Sequence, residues 1–403
     1  MQTYYDNMFL QRMQEKLVLN NWADQKRVPL WKGKVVDYFS YYPIAADSTA
    51  ITEGSSTANE VTVSGQTIQA TIAKWAQWAP HTELVKLTAR DANLKGQVEL
   101  FANAAAESLE KALAKEVFQR GSIPIRVDEL DNSSTFTFES TVDASATTNT
   151  TTVFVDAAIS ASYDADSYWV GAHWAATYLA AGDGTTAANN YRHGALIVDS
   201  ASAAQTVTLT TAHAAPTSFT AGCHYRMVSG SGLDATKIIT GTAIEYAVSK
   251  ARENKFYTYP GGFFKSSLAA QTQYDLNKNT VFRNLGQYQQ ASRLEAWEIG
   301  KLWGVQFYMA TIPFREDVDG TANFNSGVVF CTPIMGMHAL GNVHLGGQPG
   351  GDRARIMIKT PGGQTTSEPI DEKGTVGYKF FAAPKALNAA FCINLMSGAT
   401  GVA

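Results

Sequence analysis

Seven histidines and three cysteines are the side chains in this 403-residue chain best suited to bind a metal or move a proton. His338 and His344 lie six apart with Cys331 upstream, interleaved with Gly336, Gly341 and Gly346. That spacing matches neither a zinc finger nor the helix-borne ligands of a metalloprotease. His173, His193, His213 and His224 fall in turn-rich sequence, where a surface or satisfied histidine is the default. Cys223, Cys331 and Cys392 are too few and too far apart for a disulfide framework. They read as small buried residues of a reducing compartment. The run Gly346-Gly347-Gln348-Pro349-Gly350-Gly351 lacks the Lys-Ser/Thr step that meets phosphate and Mg²⁺, and Pro349 removes a backbone donor. It reads as a loop. Glu295 and Glu298, three apart, read as a solvated face and not as the paired carboxylates of a glycosidase. No Gly-x-Ser-x-Gly elbow is present. Lys74 could bond covalently to an Asn on a neighbour, but a lone exposed lysine is usually a solvated charge. These residues predict no catalytic centre, no cofactor and no metal.

Composition narrows the classes further. Hydrophobic residues make up 45% and charged residues 17%. Disorder or coiled coil across the whole chain needs more charge than that. A net charge of -4 leaves no basic excess to grip phosphates. Asp6, Arg12, Glu15 and Lys16 break any apolar leader, and no apolar run is long enough to span a bilayer. The reading is a soluble protein used without export.

The elements follow from periodicity. Tyr5, Phe9, Met13 and Leu17 recur every four residues and predict a short amphipathic helix. Residues 30–44 read as extended chain with Trp31, Tyr38, Phe39, Tyr41 and Tyr42, stopped by Pro43. So aromatic a segment cannot bury itself, so it lies on the rest of the fold or on another molecule. Residues 61–78, which include Lys74, Trp75 and Trp78, predict a hairpin turning at Ser64-Gly65. Residues 82–120 predict one long helix, capped by Thr82 and ended by Gly121, with Gly96 permitting a bend or close packing.

The composition then shifts. Residues 127–236 carry 11 acidic and 2 basic residues, a net of -9, against 30 basic and 25 acidic elsewhere, a net of +5. Six β-patterned runs, at 135–138, 152–155, 168–170, 195–198, 206–209 and 225–228, are spaced by turn residues. They predict a separate all-β insert of sandwich or barrel kind. Helical period resumes at 234–254 and again at 272–285. Strands are expected at 299–310, 327–331, 354–359, 375–381 and 389–395, giving an α+β fold with one foreign β insert.

This order of parts resembles the tailed-phage major capsid proteins of Hong Kong 97-type fold, in the branch typified by coliphage N-four. The resemblance is carried by Thr52-Glu53-Gly54, by Glu298-Ile299-Gly300 followed by Gly304-Val305, and by Val376-Gly377-Tyr378-Lys379. Trp297 and Glu368-Pro369-Ile370 depart from the family pattern. The resemblance implies an N-terminal arm at 1–45, an E-loop at 46–80 and a spine helix of the peripheral domain at 81–126. An axial domain follows at 233–325, and a β-rich part at 326–403 completes both domains. The acidic insert, 127–232, lies outside the resemblance. Implied partners are further copies of this chain, in hexamers and pentamers of an icosahedral head assembled in the host cytoplasm. A portal, scaffold or decoration proteins, and packaged double-stranded DNA without sequence-specific contact complete them. The contact candidates between subunits are Tyr5, Phe9, Trp31, Tyr38, Phe39, Tyr41, Tyr42, Glu53, Gly54, Lys74, Trp75 and Trp78. Two alternatives are an encapsulin-like compartment and a carbohydrate-active enzyme with a glycan-binding insert.

Overall fold

The computed structural model describes residues 2–28, 33–41, 65–82, 92–120, 122–129, 137–141, 152–154, 168–175, 195–201, 206–209, 223–229, 232–253, 256–283, 298–316, 326–345, 354–359, 373–388 and 391–400. The chain divides into two compact units. One comprises Met1–Val36, Gln69–Ala114 and Gly341–Lys385; the other comprises Asp37–Ile68, Lys115–Leu340 and Ala386–Ala403.

In the first unit, α1 (Gln2–Gln14) leads to the short α2 (Leu19–Trp22) and to β1 (Asp24–Val28). The four-residue spacing holds: Phe9, Met13 and Leu17 are buried and Tyr5 is half-buried. Along the chain the two-stranded ribbon β2 (Val35–Tyr41) and β3 (Gly65–Thr71) follows, with its residues from Asp37 to Ile68 counted in the second unit. Gly65 therefore opens a strand paired with β2, while residues 61–64 of the expected hairpin lie outside the described residues. Next, β4 (Ala73–Thr82) runs antiparallel to β19 (Lys373–Ala386), from Ala73 opposite Ala382 to Thr82 opposite Lys373. Thr82 thus ends a strand, paired with a segment some 300 residues away. The same sheet holds β17 (Leu340–Leu345), with β1 parallel to it, and β18 (Ala354–Lys359).

The long helix, α3, covers Ala92–Arg120 and is about 43 Å long at the standard rise. Val98, Ala102, Ala105, Leu109 and Leu113 are buried on it at three- and four-residue steps. A side chain at Gly96 would meet nothing within 4 Å, so this glycine serves no close packing.

In the second unit, β5 (Ile123–Arg126) joins a seven-stranded sheet. Its other strands are β12 (Phe264–Leu268), β13 (Glu298–Leu302), β14 (Val305–Met309), β15 (Arg315–Glu316), β16 (Val329–Met335) and β20 (Cys392–Ser397). The order is β13-β14-β12-β16-β20-β5, with β15 on β16. The pairs β12/β14 and β20/β5 are parallel. Helix α4 (Gly241–Glu253) buries Ala243, Ile244, Ala247, Val248 and Ala251, the stripe its sequence predicts. The helix expected at 272–285 is two pieces, α5 (Ala270–Leu276) and α6 (Thr280–Arg283). Asn279 Oδ1 accepts the Val281 N–H at 2.9 Å, starting the second helix anew.

The six runs of the acidic stretch form β6 (Thr137–Thr141), β7 (Thr152–Phe154), β8 (Tyr168–Ala175), β9 (Ala195–Ala201), β10 (Thr206–Leu209) and β11 (Cys223–Ser229). They pair only with one another among the described residues, as one open sheet of order β6-β11-β8-β9-β10-β7. Every pairing is antiparallel. A sandwich or barrel was expected; the described strands make a single sheet.

Candidate functional site

The residues read as chemistry are held as structure. Cys331 and Cys392 are buried, and burial pushes both thiols up, away from the reactive thiolate. Cys331 donates to Glu316 Oε2 at 3.4 Å, and that neighbouring carboxylate raises its thiol further. His338 sits in the turn between β16 and β17 with φ of 62°, its ring edge-on to Tyr257 at 6.5 Å. His344 meets Gln25 Oε1 through Nε2. Glu298 is no solvated carboxylate: it is buried in β13, 3.7 Å from Lys301 Nζ. Glu295, the run 346–351 and His193 and His213 lie outside the described residues. Among the described residues no group of three or more His, Cys, Asp and Glu could hold a metal ion. Nor is any of their helices long and apolar enough to cross a membrane.

Charged groups act as clamps within the second unit. Arg126 grips Asp128 with two bonds, 2.8 Å from Nε and 3.0 Å from Nη2, with both residues buried. Burial alone would raise the Asp128 carboxyl, but Arg126, with Lys237 at 3.8 Å, holds it below its ordinary range. Glu129 beside it accepts the Tyr246 hydroxyl at 3.2 Å. Asp275 on α5 takes Lys278 Nζ and the Thr400 N–H, each at 2.8 Å, so it pins residue 400. Burial raises its carboxyl and these bonds outweigh that, leaving it lowered. No nearby residue signals the partners Glu129 and Tyr246, 117 residues apart, or Asp275 and Thr400, 125 residues apart.

The contact candidates part into three groups. Phe9 is fully enclosed by its own chain and stacks on Tyr378 at 6.3 Å, so its contact is intramolecular. Tyr38 is likewise buried. These two are corrections to the list: burial within the fold satisfies the aromatic surface that seemed to need a neighbour. Phe39 and Trp78 are 55% and 67% exposed, and Lys74 is exposed on β4. Tyr5 and Trp75 are half-buried. Trp75 stacks on Phe380 at 6.1 Å, and Trp78, three residues on, faces the other side of the strand. Only the backbone of Tyr41 is described, in β2; Trp31, Tyr42, Glu53 and Gly54 lie outside. Sequence reading missed Tyr4, Leu100, Tyr257, Tyr274 and Val281, all exposed. Leu100 follows Glu99 and steps off the buried stripe of α3, which was the one available signal.

Two of the quoted motifs have physical causes. Leu302 pairs with Val305 across a two-residue turn in which Trp303 and Gly304 have φ of 53° and 79°. That is the left-handed pair a tight hairpin needs. A register shift between Glu298 and Gly300 bulges the same hairpin. At Gly377 an added Cβ would lie 2.7 Å from Trp78 Cβ and 2.8 Å from the Gln77 carbonyl, so β4 can approach only a glycine there. Tyr378 beside it gathers Phe9, Phe101 and Phe380 at ring distances of 6.0 to 6.3 Å. Its hydroxyl lies 3.3 Å from Gln77 Oε1.

No protein-family model matches this chain and no curated protein matches it. Solved structures do. The capsid of Ralstonia phage GP4 superposes with a TM-score of 0.52 at 12% identity, over 96% of this chain and 90% of that one. The capsid of cyanophage P-SCSP1u gives 0.49 at 10% identity, over 95% and 88%, and that of cyanophage Pam1 gives 0.46 at 12%, over 92% and 86%. Across nearly the whole of both chains, then, this protein shares the fold of the Ralstonia phage GP4 capsid.

Proposed function

We propose that this chain is a major capsid protein, a structural subunit that self-assembles into the icosahedral head of a bacteriophage around double-stranded DNA. The observation that carries the reading is the fold likeness to the Ralstonia phage GP4 capsid over 96% of the chain. The order of elements supports the finer assignment to the Hong Kong 97-type fold and its coliphage N-four branch. In that assignment residues 1–45 are the N-arm, 46–80 the E-loop and 81–126 the spine. Residues 127–232 are an all-β insertion domain on the outer surface, 233–325 the axial domain and 326–403 the part completing axial and peripheral domains. Hexamers and pentamers close the shell by symmetry. A portal, and scaffold or decoration proteins, are further partners in the virion.

Phe9, Met13 and Leu17 are buried inside the first unit, so removing residues 1–45 would unfold that unit and test nothing about assembly. The test is electron microscopy of the full chain beside a Phe39→Ser/Trp78→Ser variant, both exposed positions. Closed shells from the parent, and folded but unassembled variant, are expected. Shells from neither, together with virions or lysates in which no shell contains this chain, would overturn the reading.

A further inference from the structure

Helix α2 has no cap of its own, because Val18 at its start offers no side-chain acceptor. The acceptor comes from 90 residues away. Glu110 on α3 receives the Leu19 N–H on Oε2 at 3.1 Å and the Asn20 N–H on Oε1 at 3.2 Å. Glu110 as a whole is 4% exposed. The same segment is tied to β17, where Asn342 Nδ2 donates to Asn20 Oδ1 at 2.7 Å. Gln25 Nε2 donates to the Asn20 carbonyl at 2.6 Å, and its Oε1 meets His344.

We propose that Glu110 is a proton-operated latch on the N-terminal segment 18–25: protonated, it stays closed beneath α2; ionised, it drives that segment off α3. The cause is the cost of an ionised carboxylate taken from water without a cation beside it. Burial raises the Glu110 carboxyl from its ordinary 4.5 to about 7, while the N–H groups of Asn20, Leu19 and Val18 pull the other way. No charged side chain contributes to that balance. On its own helix Glu107 and Lys111 pair with each other at 3.9 Å near the surface. Along the chain, Lys16 precedes the segment and Asp24 lies within it, both half-exposed, and on β17 the titratable group is His344. The closed state binds the extra proton, so closure is strongest below pH 4.5, weakens up to about pH 7 and changes no further above it. This inference does not rest on the capsid reading.

Hydrogen exchange by mass spectrometry on the full chain, corrected for intrinsic rate, tests it at the Leu19 and Asn20 amides between pH 5 and 8. Protection in the parent is expected to fall about 40-fold from pH 5 to 7 and to level off by pH 8, as a single linked proton requires. Glu110→Gln, neutral at every pH, should show no such slope, and His344→Gln should keep the parent's. The latch is overturned by a flat parent profile, by one slope shared with Glu110→Gln, or by a slope that vanishes in His344→Gln. If Glu110→Gln does not fold, the parent and His344→Gln profiles alone decide.

Discussion

The seven-stranded and six-stranded sheets obey opposite rules. The first collects strands from Ile123 to Ser397, mixes parallel with antiparallel pairs, and buries β16 and β20 at every position. The second draws all its strands from between Thr137 and Ser229 and is wholly antiparallel. Runs buried on both faces read as near-continuous apolar sequence, as in Val329–Met335. The other sheet reads as short alternating stretches such as Thr206–Leu209. Pairing strands from one stretch of chain closes smaller loops than pairing segments hundreds of residues apart, on which the long-range sheet depends. A local sheet can be added to a fold as a block; a long-range sheet is the fold.

The sharpest way to break this comparison is a proline in each sheet. Leu395 on β20 lies between β16 and β5, and Val207 on β10 lies between β9 and β7. Each proline removes a ladder donor at a cost of about 3 kcal/mol or more. Leu395→Pro is expected to abolish the folded state by circular dichroism. Val207→Pro should expose only peptides between 137 and 229 to exchange, and global unfolding from it would end the claim that the local sheet is separable.

Two deletions behind a short linker place its boundary. Removing residues 127–232 also takes Asp128 and leaves Arg126 buried without its anion, a loss of about 3–5 kcal/mol. Removing 130–231 spares that pair and should melt about 10 °C higher. Equal melting points would mean that the clamp contributes nothing to the long-range sheet.

Gly377→Ala probes long-range pairing in the first unit, where β4 leaves no room for a Cβ. It should cost about 1–3 kcal/mol by denaturant titration. Acid acts on the long-range unit through Asp128 and Asp275. Both carboxyls are held below their ordinary value of 3.8, so their stabilisation is complete above it and is lost as pH falls through the lowered values. The melting point should drop there, and less so in Asp128→Asn. Smallest is Gly96→Ala, which meets nothing within 4 Å and should stabilise α3 by about 0.5–1 kcal/mol.

Much of the local structure was legible. The runs at 152, 168, 195 and 206 begin where their strands begin, because β-branched and aromatic residues cluster there between turn residues. The stripes of α1 and α4 were readable because buried residues on a helix repeat at the helical period. Partners were not. Nothing near Thr82 reveals that it pairs with Lys373, and nothing near Phe9 reveals Tyr378. Of the contact candidates, Phe39 and Trp78 remain exposed while Phe9 and Tyr38 do not. Exposure depends on what folds over a residue, and its own type does not record that.

The sequence alone determined the buried stripes of α1 and α4, the body of the long helix, the six β runs of the acidic stretch, and that no familiar catalytic spacing is present. Those features rest on side-chain periodicity and turn chemistry within a few residues of each position. Only the tertiary structure decided that β4 lies on β19, that Gly377 must lack a side chain, and that Glu110 caps a helix 90 residues before it. Each depends on two distant segments meeting, and no window along the chain contains both partners.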